Sequence, residues 1–406
     1  MAEIELPAEL LNKIEKTGPV DLVIGVTGPA APSELCSRAR NSLRDISAKT
    51  IVAYAGTTHA DSLPCVDTPI QLASFPMPSS NSGAFWLDIS TAQRSVLALA
   101  ERWGARACMV THNDLAALEP ETLRLLVEPV LQSQADLMMP IYVQGKYEGL
   151  ISKCLLAPFS RALYGRRVRF PLSFDFCAGA AVFKKLTDAG SRAHGVAPLL
   201  WPANEVAIRG GKMGQAPVAV HHAVRTDHND LTAILTEFAG SLFQEAEADA
   251  AHWQRVRGSE VVTRFGKSSF AKEDSAAQID PKPMVESFVL GSRNLEEVWR
   301  LVLPPAITLE LKRLSRLDAD NFRMPDTLWA RIVYDFALAH RMRRVSRTHV
   351  LGALTPLYLG WVASYTQEVA SATSEEADRR IVQLAAAFEE QKPYFVSRWR
   401  WPERVS

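Results

Sequence analysis

Apolar and polar positions fall into blocks of two lengths along the first half of the chain. Short apolar runs end in turn residues. Residues 21–26 close on Thr27-Gly28-Pro29, residues 50–55 form a second run, and residues 70–75 lead into a loop rich in Pro, Ser and Asn over 76–83. Each predicts a β-strand bounded by a turn. Longer segments carry apolar residues at helical spacing: 32–46, with Ser33 as cap, 87–103, and 119–132, where Pro120 occupies the first turn. Residues 106–110 and 137–142 read as two further strands. Strands alternating with helices of this length predict a mostly parallel sheet covered by helices. Ligands of such sheets bind at the carboxyl ends of the strands, which points at Thr27-Gly28, at Thr111 to Asp114, and at the segment after Tyr142.

The pattern changes after about residue 222. Residues 231–253 read as one long helix, 267–283 as a polar, Pro-containing linker, and the rest as helices, including 328–343, 349–369 and 375–391. Pro304-Pro305, Pro325 and Pro356 punctuate them. No repeat of about 20–50 residues is present, which argues against a solenoid. The expected organisation is an α/β domain over 1–225 and an all-helical domain over 226–406.

Composition narrows the partners. The 406 residues are 47% apolar and 22% charged, as in a globular protein with enough chain for two cores. Lys+Arg and Asp+Glu both total 45, so no global field recruits nucleic acid or an anionic membrane, and neither is an expected partner. The five cysteines form no CxxC pair and read as buried thiols of a reducing compartment. No leader pattern is read, and no apolar run approaches the ~18–20 residues of a membrane span. A cytoplasmic protein is expected.

The chemistry-bearing residues cluster after the fourth strand. Thr111-His112-Asn113-Asp114 closes that strand, and on its own it also reads as a cap for the next helix. Gly149-Leu-Ile-Ser152 follows, then Arg161-Ala-Leu-Tyr164-Gly165, Arg169-Phe-Pro171 and Ser173-Phe174-Asp175, and a late apolar run ends at His221-His222. Taken together these segments resemble GT-A glycosyltransferases, in particular the retaining enzymes that make glucosylglycerate, mannosylglycerate and glucosyl-phosphoglycerate. His252-Trp253, Leu303-Pro304-Pro305, Leu328 to Phe336 and Leu354 to Gly360 extend the resemblance to most of the chain.

The resemblance implies a GT-A-like sheet with flanking helices and a helical C-terminal domain. It also implies hexose transfer, with retention, from a nucleotide-sugar to a small carboxylate or polyol acceptor such as glycerate. In that reading Thr27, Gly28, Gly83, Asn113 and Asp114 face the donor, and Gly149, Ser152, Arg161, Tyr164 and Arg169 face the acceptor. Asp175 is the catalytic residue, which orients the acceptor or stabilises the oxocarbenium-like sugar. His112, Asp114 and His222 hold a divalent metal, for which their nitrogen content favours Mn or Co over Mg. A homo-oligomer is expected; the apolar and aromatic positions of these helices read first as core packing, with Trp329, Arg331 and Tyr334 also candidates to line a partner or subunit interface.

The sequence also departs from those enzymes at ligand positions. His112 stands for the first carboxylate of the DxD motif, Ser173-Phe174 for two glycines, and Leu199 for an acid. The loop at Ser80 to Ala84 lacks a lysine. An alternative reading follows: a catalytically degenerate relative that keeps the fold and serves as a binding or scaffolding subunit. No GxGxxG or P-loop supports an oxidoreductase or an NTPase.

Overall fold

The computed structural model describes residues 15–27, 48–55, 70–75, 85–112, 120–189, 199–218, 231–266 and 279–402, with scattered positions between 12 and 46. The loop expected at 76–83 lies outside them, as do Gly28, Gly83, Asn113, Asp114, His222 and most of the linker.

Among the described residues one sheet has eight strands: β1 (Leu22–Val26), β2 (Thr50–Ala55), β3 (Ile70–Phe75), β4 (Ala107–Thr111), β5 (Leu137–Tyr142), β6 (Phe176–Gly179), β7 (Met213–Val218) and β8 (Thr263–Arg264). Their spatial order is β3-β2-β1-β4-β6-β5-β7-β8. Only β6 runs antiparallel to its neighbours, β4 and β5. β1 and β4 are buried along their whole length, as expected of parallel strands covered on both faces. The result is a mixed α/β region, a mostly parallel sheet with flanking helices, as the alternation of strands and helices in the sequence implied.

Helix α1 (Phe85–Arg102) packs closely on this sheet. A Cβ on Gly25 would lie 2.1 Å from Val96 Cγ1, so the β1–α1 approach requires glycine. Helix α2 (Pro120–Leu131) covers the other face through Leu123, Leu126, Val127 and Val130. The expected strand at 106–110 is shifted by one residue. Thr111 is its last member and pairs with Val26 at the carboxyl end of β1.

The chain divides into two compact units. The first comprises 1–143, 170–221 and 261–270, and the second 144–169, 222–260 and 271–406. The segment 144–169 thus groups with the helices and not with the sheet that precedes it. Its ties are specific: the Trp329 indole donates to Cys154 O at 2.9 Å, and the Tyr365 hydroxyl to Lys146 O at 2.9 Å. This segment contains a π-turn at Ser152–Leu156 and helix α3 (Ala157–Tyr164), which ends at Gly165 in the left-handed region.

Among the described residues the rest of the second unit is helical, apart from the short stretch that follows α5. It runs α4 (Leu231–Ala248), α5 (Ala250–Trp253), α6 (Lys282–Asn294), α7 (Glu296–Val302), α8 (Pro305–Leu314), α9 (Asp326–Met342), α10 (Arg347–Gly352), α11 (Thr355–Glu368) and α12 (Ser374–Arg400). The single helix expected over 231–253 breaks at Asp249. The last helix runs beyond the expected 391 to Arg400, through Pro393, because its aromatic residues are fixed from outside. Phe395 stacks on Tyr334 at 4.6 Å and on Trp253 at 4.9 Å. Cys108, Cys154 and Cys177 are buried free thiols whose basicity is raised by burial.

Candidate functional site

The carboxyl ends of β1, β4 and β5 bring together residues from five segments of the first unit. Thr27 N donates to Thr111 O at 2.8 Å, and Thr27 Oγ1 lies 3.3 Å from His112 Nδ1. His112 therefore stands where a strand-end ligand would be met, beside one of the residues expected to face the donor.

Asp175 lies next to them but is fully enclosed, with 0% exposure. Its carboxylate accepts from Thr111 Oγ1 at 2.6 Å through Oδ1 and from the Tyr142 hydroxyl at 2.7 Å through Oδ2. Ser173 Oγ donates to Asp175 O at 2.8 Å and lies 2.9 Å from the Tyr142 hydroxyl. Burial and the neighbouring Asp175 charge hold the Tyr142 phenol protonated, well above its usual range, which keeps it a donor. Each carboxylate oxygen therefore faces a buried hydroxyl.

Phe174 occupies the space beside this network. Its ring stacks on Trp86 at 4.2 Å and on His112 at 5.5 Å, with interplanar angles of 27° and 24°. It is 7% exposed. The turn that carries it is fixed from α1, because Gln93 Nε2 donates to Ser173 O at 3.1 Å and to Phe174 O at 3.3 Å. Trp86, Gln93, Thr111 and Tyr142 thus shape this strand end; the sequence points to Thr111 and to the strand that Tyr142 ends, and carries no signal for Trp86 or Gln93. Their spacing from Asp175 carries no local pattern: Thr111 is 64 residues away and Tyr142 33.

The residues expected to face the acceptor fall in the second unit. Gly149 has φ +63°, a left-handed conformation that favours glycine, and the Gln144 amide packs closely against it. Ser152 Oγ is buried without a hydrogen-bond partner among the described residues. The basic and phenolic groups are engaged by acids and by serine. Arg161 Nη2 pairs with Glu389 Oε2 at 2.6 Å, and its Nε donates to Ser259 Oγ at 3.2 Å. The Tyr164 hydroxyl donates to Asp249 Oδ2 at 3.1 Å, and Arg169 pairs with Asp378.

Of the three expected metal ligands only His112 is among the described residues. Within those residues no three His, Cys, Asp or Glu side chains gather as a metal centre. A cavity of about 220 Å³ opens elsewhere, beside Asp136, Lys185, Glu205 and Arg209, and contains none of the candidate residues.

No family model matches the chain, and no curated protein does either. Solved structures give a faint likeness. One is glucosyl-3-phosphoglycerate synthase from Mycobacterium tuberculosis in complex with Mn²⁺, UDP-glucose and phosphoglyceric acid. It is 15% identical, spans 59% of this chain and 84% of that one, and has a TM-score of 0.34. The same enzyme with Mn²⁺, UDP-glucose and glycerol 3-phosphate is 14% identical over 58% and 83% of the two chains, with a TM-score of 0.35. At these values the likeness assigns neither substrate nor metal to this chain.

Proposed function

We propose that this chain is a catalytically degenerate GT-A-like protein, retained as a binding or scaffolding subunit and not as a hexosyltransferase. The observation that carries this reading is the Trp86–Phe174–His112 stack. Transfer requires donor sugar and acceptor within about 3–3.5 Å of each other, on a surface bare enough to admit both. Phe174 stands where the resemblance implies glycine, and its ring covers His112. Asp175 supports the same reading, since both of its oxygens already accept hydrogen bonds in a closed network. So do Arg161 and Arg169, whose charges are met by Glu389 and Asp378. The test is release of nucleoside diphosphate from a panel of nucleotide-sugars, given Mn²⁺ and glycerate or phosphoglycerate. Release no faster with acceptor than without it is expected, and acceptor-dependent turnover overturns the proposal.

A second reading rests on the position of His112 at the strand end beside Thr27, and on the Ser152 hydroxyl, buried without a partner among the described residues. It is a metal-assisted, retaining hexosyltransferase acting from a nucleotide-sugar on a small glycerate-like acceptor. His112, Asp114 and His222 would hold Mn or Co, which would neutralise charge on the leaving diphosphate. Thr27, Gly28, Gly83 and Asn113 would meet the donor, and Gly149 and Ser152 the acceptor. Acceptor-dependent turnover lost in Asp114→Ala would establish it.

A further inference from the structure

The cavity beside Asp136 and Lys185 lies at the opposite end of the strands from Phe174. Asp136 immediately precedes β5, and Lys212 immediately precedes β7, which runs parallel to it. Backbone and side chain tie the two together at this amino end. Asp136 N donates to Lys212 O, and Lys212 N donates to Asp136 Oδ2, both at 2.8 Å. One carboxylate oxygen is thereby fixed, and Oδ1 has no partner among the described residues. The helix Ala180–Ala189 brings Val182 and Lys185 to the same cavity, and the helix Pro202–Ile208 brings Glu205 and Val206. All of these residues belong to the first unit.

The charges lining this cavity do not cancel in place. Glu205 is met by Arg209, whose Nη2 lies 3.7 Å from Glu205 Oε2. Lys185 is half-buried, yet among the described residues it forms no ion pair with Asp136 and no hydrogen bond, although both line the same volume of about 220 Å³. A cation and a carboxylate withdrawn from water without pairing carry a desolvation cost, which a ligand bearing both signs would offset.

We infer that this cavity binds a free α-amino acid with a small side chain. Its carboxylate meets Lys185, its ammonium meets Asp136, and its side chain rests on the buried Val182 and Val206. Size supports this choice. The volume of about 220 Å³ equals about seven waters at about 30 Å³ each, room for a molecule of about seven to nine non-hydrogen atoms. It is smaller than the about 300–1,000 Å³ of sites for larger ligands, which excludes a nucleotide-sugar here. Charge supports it too. A bare cation would meet Lys185 and Arg209, and an inorganic anion would meet Asp136 and Glu205, so either is opposed by like charge. An amino acid presents one group of each sign.

The test is calorimetric titration of the full chain with each of the common amino acids at up to about 10 mM. Propionate and ethylamine serve as probes that carry one charge only. At least one amino acid of no more than about nine non-hydrogen atoms is expected to bind. Propionate and ethylamine should bind about tenfold or more weakly than it does. Lys185→Gln and Asp136→Asn should each weaken binding about ten- to a hundredfold, the loss of one charge-assisted hydrogen bond. Asparagine keeps an oxygen for the Lys212 amide, and Lys185 has no partner to lose among the described residues, so both variants should melt like the native chain. Phe174→Gly, at the other end of the strands, should leave the affinity unchanged. Three results would overturn the inference: no binding heat with any amino acid, equal binding of propionate or ethylamine, or native affinity in Lys185→Gln.

Discussion

Asp175→Ala separates a structural carboxylate from a catalytic one. In the native chain this side chain has no exposure, and its two oxygens accept from Thr111 Oγ1 and the Tyr142 hydroxyl at 2.6 and 2.7 Å. A hydrogen bond to a charged group contributes about 1.5–3 kcal/mol, and a buried donor left without a partner costs about 1–3 kcal/mol. Removing the carboxylate loses two such bonds, and the Tyr142 hydroxyl is left with Ser173 Oγ at 2.9 Å. Relief of the buried charge offsets part of that loss. A net cost of about 3–5 kcal/mol is expected. Chemical denaturation at neutral pH reads this as a lower midpoint with an unchanged slope. A double-mutant cycle with Tyr142→Phe should show a coupling of about 1–3 kcal/mol between the two residues. A catalytic acid that merely faces a ligand would leave stability almost untouched. A change within about 0.5 kcal/mol for Asp175→Ala would refute the structural role assigned to it.

Two further predictions concern packing and pH. Gly25→Ala places a methyl 2.1 Å from Val96 Cγ1 and should destabilise the first unit by about 1–3 kcal/mol, with Val96→Ala recovering much of the loss. If thermal melts show Gly25→Ala to be neutral, the close β1–α1 approach is wrong. His340 is pushed down from 6.5 to about 4, chiefly by burial and then by the charges of Arg347 and Arg343. Its folded value lies below its unfolded one, so this contribution is present above about pH 6.5 and is lost as pH falls toward 4, worth about 3 kcal/mol in all. Denaturation at about pH 7.5 and about pH 4.5 should show a smaller acid loss in His340→Phe than in the native chain, and equal losses would rule His340 out.

The strands of the first unit were legible because each is a short apolar run closed by turn residues, and β1, β2, β3 and β5 fall where that pattern places them. The strand β6 was not, because Phe176 to Gly179 is only four residues long and is held as a strand by β4 and β5 on either side. The sequence located the neighbourhood of the candidate site through the strand-end rule and the resemblance. It could not show what Asp175 does, since its partners lie on two other strands. Nor could it place the acids that meet Arg161 and Arg169, because Glu389 and Asp378 follow more than two hundred residues later. The break at Asp249 and the helix running through Pro393 have the same origin. Local pattern favours one outcome, and contacts from distant helices decide another.

The central claim is that Phe174 closes the strand end, and calorimetric titration of the native chain and of Phe174→Gly with UDP-glucose and Mn²⁺ tests it most directly. The native chain should give no binding heat at millimolar ligand. The variant, checked for folding by circular dichroism, should bind once the ring that covers His112 is gone. Metal-dependent binding by the native chain, at least as tight as by the variant, would contradict the account.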